Sequence, residues 1–215
     1  FALADAWDVA LVGGDTTRGP LTVSVQLLGF APAGGWLSRA TAAPGDAVFV
    51  SGTLGDAAAG LGILQTAGGG LSAEAHHLVE RFRRPEPRIN EGRSLLELAS
   101  AAIDVSDGFA ADLGKLAAAS GVGAVIETAR LPVSAALRAC HQAGETRRLA
   151  LEGGDDYELC FTVPPRRADA LADVAANWPC GCTRVGEIVA RAGVRCVDAR
   201  GRAVRVAGGY DHFPV

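Results

Sequence analysis

The sequence contains no methionine and only one lysine, Lys115. Charged residues make up 20% and aromatic residues 6%, against 49% hydrophobic. That balance excludes a disordered chain and leaves apolar material for one sizeable core, or one and a half domains. No apolar run approaches the roughly 20 residues of a membrane-spanning helix, so no membrane partner is expected. The positive excess that nucleic acid demands is missing too. The formal net charge is -4, and polyanionic partners are not expected. CxxC spacing is absent among the five cysteines, Cys140, Cys160, Cys180, Cys182 and Cys196. This argues against a zinc site or a disulfide framework and for unpaired thiols in a reducing compartment, hence the cytoplasm. Neither an initiator nor a signal-peptide pattern precedes "FALADAWDVALV", which begins inside an amphipathic segment, and the chain is expected to be a fragment of something longer.

Known nucleotide signatures are also missing. Lys115 is followed by Leu116, so the G-x-x-x-x-G-K-S/T phosphate loop is absent, as are the HRD and DFG motifs of protein kinases. "GTLGDAAAG" at 52–60 has the look of a phosphate-cradling turn into a helix but lacks G-x-G-x-x-G spacing, and close strand–helix packing explains it equally well. His76, His77, His141 and His212 are scattered without metal spacing and read as helix-surface residues. Arg81, Arg83, Arg84 and Arg88 form a basic run around two prolines that reads as a solvated helix end or an anion contact.

Periodicity organises what is present. Val9–Val12 is strand-like, and Leu21, Val23, Val25 and Leu27 alternate as a second strand. "APAGGW" reads as a linker, with a domain boundary between Ala31 and Pro44. Strands are then predicted at "DAVFVSG", "AAIDV", "GAVIET", "ELCFTV" and "TRVGEIV". Helical spacing marks "AEAHHLVERF", "NEGRSLLELA", "AADLGKLAAAS", "SAALRACHQA" and "ADALADVAANW". Strands alternating with helices predict an α/β fold with a mixed sheet.

Three clusters join acids to glycines: "GGD" at 13–15, "DVSDG" at 104–108 and "GGDDYE" at 153–158. In the second, Asp104 ends a strand, Ser106 is the expected N-cap, and Asp107 opens a helix that stops at Gly121. Nothing beside these acids in sequence supplies a counter-charge. A divalent cation would, and all-oxygen ligands without His or Cys favour Mg2+, which characteristically bridges carboxylates to substrate phosphates. For "DVSDG" alone, capping is the more economical reading. Its repetition beside paired glycines, which allow close backbone approach to a ligand, favours a metal clamp for a nucleotide.

Taken together, "LVGGDTTRGPL", "RPEPRINEG", "AAIDVSDGFAADLGKLA", "EGGDDYELCFTV" and the terminal "GGYDHF" resemble the thiamine-monophosphate kinase family in order and spacing, from about Val9 to Phe213. That family is a branch of the aminoimidazole-ribonucleotide synthetase superfamily. The resemblance implies transfer of the γ-phosphoryl of ATP to thiamine monophosphate. It implies that Asp15, Asp104 and Asp107 hold Mg2+ and that Gly14, Asp15, Arg39 and Ser106 contact ATP. Asp155, standing where the family usually has a glutamate, would face the thiamine substrate. Phe213 or Tyr210 would pack on the substrate's rings. It further implies an α/β (α+β) architecture: residues 1–35 as a remnant of an N-terminal ATP-binding and dimerisation domain, and 36–215 as a mixed-sheet C-terminal domain. The family's N-terminal Gly-Asp-Asp and Thr-Thr-Asp metal motifs are absent from this sequence. A homodimer is therefore expected of the intact protein, and no activity of these residues alone. The alternatives are another ATP-using branch of the superfamily, making aminoimidazole ribonucleotide or selenophosphate, or a non-catalytic Mg-nucleotide-binding module.

Overall fold

The computed structural model describes residues 1–31, 35–66 and 69–207. The chain divides into two units, Phe1–Ala33 and Gly34–Val215.

In the first unit, a short helix α1 (Ala2–Ala6) is followed by chain without regular secondary structure. Neither predicted strand forms there. Leu21 is 98% exposed and Leu27 76%, and no described segment pairs with either stretch. Alternation marks a face able to be buried, but a strand exists only through a ladder partner that satisfies its backbone groups.

The second unit holds strands β1 (Ala47–Ser51), β2 (Ala101–Asp104), β3 (Gly123–Glu127), β4 (Leu159–Val163), β5 (Cys182–Val189), β6 (Gly193–Val197) and β7 (Ala203–Val204). Its helices are α2 (Asp56–Thr66), α3 (Ala73–Arg83), α4 (Ile89–Ser94), α5 (Phe109–Ala119), α6 (Ala135–Cys140), α7 (Ala143–Glu152) and α8 (Ala168–Ala175). The strands form one mixed sheet in the order β2-β4-β1-β5-β3-β6-β7. β3 and β6 are parallel, and every other pairing is antiparallel. The α/β mixed-sheet expectation therefore holds. The sequence reading missed β6, β7 and α7, and it ran a single helix through Ser134–Ala143 where α6 stops at Cys140 and α7 begins at Ala143.

Both faces of the sheet are covered, and the two-residue period sorts side chains between them. Val48, Val50 and Cys160 point into a core with Phe109, Leu113 and Leu116 of α5. Phe161, Val163 and, less deeply, Phe49 point the other way onto Leu95, Leu171 and Trp178. Phe49 and Phe161 stack with centroids 5.7 Å apart, and Trp178 meets Phe161 edge-on at 6.0 Å. A third cluster joins Ala59, Leu78, Leu137 and Leu149 across α2, α3, α6 and α7. None of these helices is long and apolar enough to cross a membrane.

Helix α5 presents the predicted face, with Phe109, Leu113 and Leu116 fully buried. It closes with two bonds, Gly121 N to Ala118 O and Val122 N to Ala117 O, the paired pattern of a Schellman end. Its start differs from expectation. Gly108, not Ser106, is the N-cap, at φ 117° and ψ 140°. Only glycine adopts that backbone readily, and a Cβ there would come within 2.8 Å of the Glu152 carbonyl oxygen. All five cysteines are free. Burial pushes each thiol up, Cys196 to about 11 and Cys182 to about 12, so none is poised as a thiolate.

Candidate functional site

β2 is an edge strand, and Asp104 stands exposed at its end. Beyond it the two acidic loops continue the β2–β4 pairing as an irregular zipper. Val105 N donates to Glu158 O (2.8 Å), Tyr157 N to Val105 O (2.9 Å) and Asp155 N to Ser106 O (2.9 Å). The approach is close enough that a Cβ on Gly154 would lie 2.4 Å from the Ser106 oxygen. These glycines therefore let two protein backbones meet, which is a different use from the ligand approach expected of them. Asp155 (φ 65°) and Tyr157 (φ 50°) take left-handed backbone conformations in this loop, uncommon for non-glycine residues and frequent at functional sites.

The loop brings Asp104, Asp107 and Asp155 around the Tyr157 hydroxyl. Partial burial, then the Asp155 carboxylate that accepts from the phenol, then Asp104 and Asp107, push the Tyr157 phenol above its ordinary range. Tyr157, 43% exposed, was not singled out by sequence reasoning. The "DDY" spacing was its only signal.

The counter-charge missing from the local sequence comes from eight residues beyond Asp107, in the second turn of α5. Lys115 of α5 pairs with Asp107 and, at 2.7 Å, with Asp112. Asp112 is buried, and its Oδ2 accepts from the amides of both Ser106 and Asp107 at 2.9 Å. The local staple is thus Asp112, which frees Ser106 and Asp107 from the capping role.

Two neighbouring acids in the same hexapeptide serve the fold. Asp156 is buried, and its carboxylate accepts from Gly55 N (2.6 Å) and Ala57 N (3.2 Å) at the start of α2. The turn that resembled a phosphate cradle is therefore filled by the protein's own carboxylate. Burial outweighs those two bonds and pushes Asp156 up to about 7. Glu158, with a side chain 1% exposed, accepts a bidentate fork from Arg88 Nε and Nη2 (both 2.7 Å), Arg81 Nη2 (2.8 Å) and the Ser51 hydroxyl (2.7 Å). The Arg88 guanidinium is held above even its ordinary high range, chiefly by these bonds to Glu158. Arg81 and Arg88 thus bind a carboxylate of the protein, correcting both a solvated helix end and a free anion site for these two; Arg83 and Arg84 remain exposed.

The remaining candidates belong to the first unit, lie at the other end of α5, or fall outside the described residues. Gly14 and Asp15 belong to the first unit, where Asp15 Oδ1 accepts from Thr16 N at 2.8 Å. Arg39 is exposed, and its carbonyl accepts from the Ser120 hydroxyl. Its backbone is therefore at the far end of α5 from Asp107, about 16 Å along the axis for an 11-residue helix. Tyr210, His212 and Phe213 lie outside the described residues. Among the described residues no group of three or more His, Cys, Asp or Glu is assembled to hold a metal ion.

A two-faced mixed sheet whose edge carries glycine–aspartate loops defines an α/β domain with a carboxylate-lined surface. Residues 43–199 match the family model described as AIR synthase related protein, C-terminal domain, and the chain belongs to that family. Within it the sequence groups with the thiamine-monophosphate kinases. It is 44% identical to thiamine-monophosphate kinase of Salmonella typhimurium over 99% of this chain and 66% of the relative. The crystal structure of thiamine-monophosphate kinase from Stenotrophomonas maltophilia K279a superposes with TM-score 0.82 at 43% identity, over 95% of this chain and 65% of that one. AaThiL complexed with AMPPCP and TMP gives TM-score 0.71 at 35% identity, over 82% of this chain and 54% of that one. The chain thus spans just under two thirds of the length of the first of these relatives.

Proposed function

We propose that this chain contributes the acceptor-side domain of an ATP-dependent kinase that converts thiamine monophosphate to thiamine diphosphate. The observation that carries the reading is the convergence of Asp104, Asp107 and Asp155 on Tyr157. This is an acidic, partly exposed surface suited to a cationic thiazolium ring and to metal-bridged phosphates. Identity of 44% to a thiamine-monophosphate kinase along nearly the whole chain supports it over the other branches of the family.

Magnesium fits the donor set. Asp104 and Asp107 offer hard carboxylate oxygens, and Mg2+ needs only one or two protein carboxylates beside water and phosphate oxygens. Asp15 is the third ligand in this reading. When bound, the metal would neutralise charge on the transferred phosphoryl group.

The acceptor phosphate is already anionic, so no general base is required. One of its oxygens forms the new bond to the γ-phosphorus of ATP, the bond to the bridging oxygen breaks, and ADP leaves with those electrons. The protein's part is positioning and electrostatics. Asp155 and Tyr157 orient the thiamine side together with an aromatic from the terminal "GGYDHF", Phe213 or Tyr210. Ser106, whose hydroxyl is not spent on capping, meets ATP with Gly14 and Arg39. A homodimer in the cytoplasm belongs to the same proposal, and the free, unactivated thiols are compatible with a reducing compartment.

The test is ADP release by the intact protein with thiamine monophosphate and free thiamine in parallel. Release with the monophosphate alone is expected. Release with free thiamine alone, or with neither, would overturn the assignment.

A further inference from the structure

Away from the acidic loops, a cleft of about 530 Å3 opens between α6, α7, the loop around Leu131 and Val133, and the turn at Asp198. Its volume lies in the range of small-molecule sites. Arg138 and Arg147 line it, both exposed and neither with an ion-pair or hydrogen-bond partner among the described residues. His141 lines it too, and its Nε2 is buried without a hydrogen-bond partner. Buried polar atoms are rarely left that way.

The one carboxylate in the lining is already neutralised. Asp198 accepts from Arg202 Nε (2.8 Å) and from the amides of Arg200 (2.8 Å) and Arg202 (3.0 Å), with Arg202 Nη2 at 2.7 Å. The net character of the cleft is therefore cationic. Leu131 and Val133 supply an apolar wall.

We propose that this cleft binds a small phosphate monoester with a compact apolar body. The two guanidiniums and His141 Nε2, in the tautomer that carries its proton there, offer three donor groups to the three terminal oxygens. A carboxylate presents one oxygen fewer and a smaller negative charge to the same donors. Guanidinium forks match oxyanions in geometry as well as charge. None of these residues belongs to the Asp104, Asp107 and Asp155 cluster, so the site is separate from the proposed kinase chemistry.

Phenyl phosphate is a suitable probe, followed in the intact protein through imidazole 15N–1H resonances and the thermal midpoint. A saturable shift at His141 is expected at millimolar concentration, with none at His76 or His77. Arg138→Gln and Arg147→Gln should each weaken it about ten-fold, the worth of one charge-assisted contact. Benzoate should bind more weakly, and Asp107→Asn should leave phenyl phosphate binding at His141 unchanged. The proposal is overturned by no saturable shift, by undiminished binding in a folded Arg138→Gln/Arg147→Gln double variant, or by benzoate binding as tightly. Loss of the His141 shift in Asp107→Asn would also overturn it, since the probe would then be reporting the acidic site.

Discussion

Within one hexapeptide, residues 153–158, the acids divide into two kinds. Asp155 faces outward with Tyr157, beside Asp104 and Asp107. Asp156 and Glu158 point inward, 2% and 1% exposed, and are tied to groups far away in sequence. The difference teaches that an acidic motif is not a uniform ligand set. Asp155 and Tyr157, both in left-handed backbone conformations, alternate with the buried Asp156 and Glu158, so one side is built into the fold while the other stays available.

The largest expected effect falls on the inward side. Glu158→Gln would leave Arg88, whose side chain is 6% exposed, with only the exposed Glu86 as counter-ion. Breaking a buried pair from one side is expected to reduce stability by about 3–5 kcal/mol, measurable by urea denaturation. A loss below about 1 kcal/mol would place Glu158 among the dispensable surface acids.

Next comes the outward side. Asp107→Asn should lower ADP release in the intact protein by about 10²–10³-fold, on the scale of losing a preorganised electrostatic contact. Stability should change by less than about 0.5 kcal/mol, because Asp112 holds the loop amides. Unaltered turnover at saturating Mg2+ would make Asp107 a structural partner of Lys115.

Asp156 belongs to the inward kind, and its signature is pH dependence. Its carboxyl is raised from 3.8 to about 7 in the fold, so between about pH 4 and 7 the native state holds a proton that the unfolded chain has released. Stability should fall as pH rises through that window, with a slope of up to about 1.4 kcal/mol per pH unit. Asp156→Asn should flatten the slope while still accepting from Gly55 N. An unchanged slope would assign the pH dependence elsewhere.

The smallest effect sharpens the outward side itself. Asp155→Asn keeps a residue that tolerates the left-handed backbone at φ 65°. It should raise the KM for thiamine monophosphate several-fold, about 1 kcal/mol, with little change for ATP. Equal effects on both substrates would put Asp155 among the metal ligands.

Much of the sheet was legible because apolar period is a local property. β1 to β5, α3, α5 and α8 follow it. β6 was not legible: "GVRCV" carries an arginine at its centre and glycine at its start, and it becomes a strand by pairing parallel to β3 and antiparallel to β7. The alternating residues before residue 31 carry the opposite lesson, since period without a partner gives no strand.

By itself the sequence determined the family and the mixed α/β character, because motif order and period are written in consecutive residues. What each acid does was decided only by the tertiary structure. Asp156 meets amides from positions 55 and 57, and Glu158 meets guanidiniums from positions 81 and 88. The balance between desolvation and donated hydrogen bonds is set by those distant groups, and that balance separates a buried staple from a carboxylate at the surface.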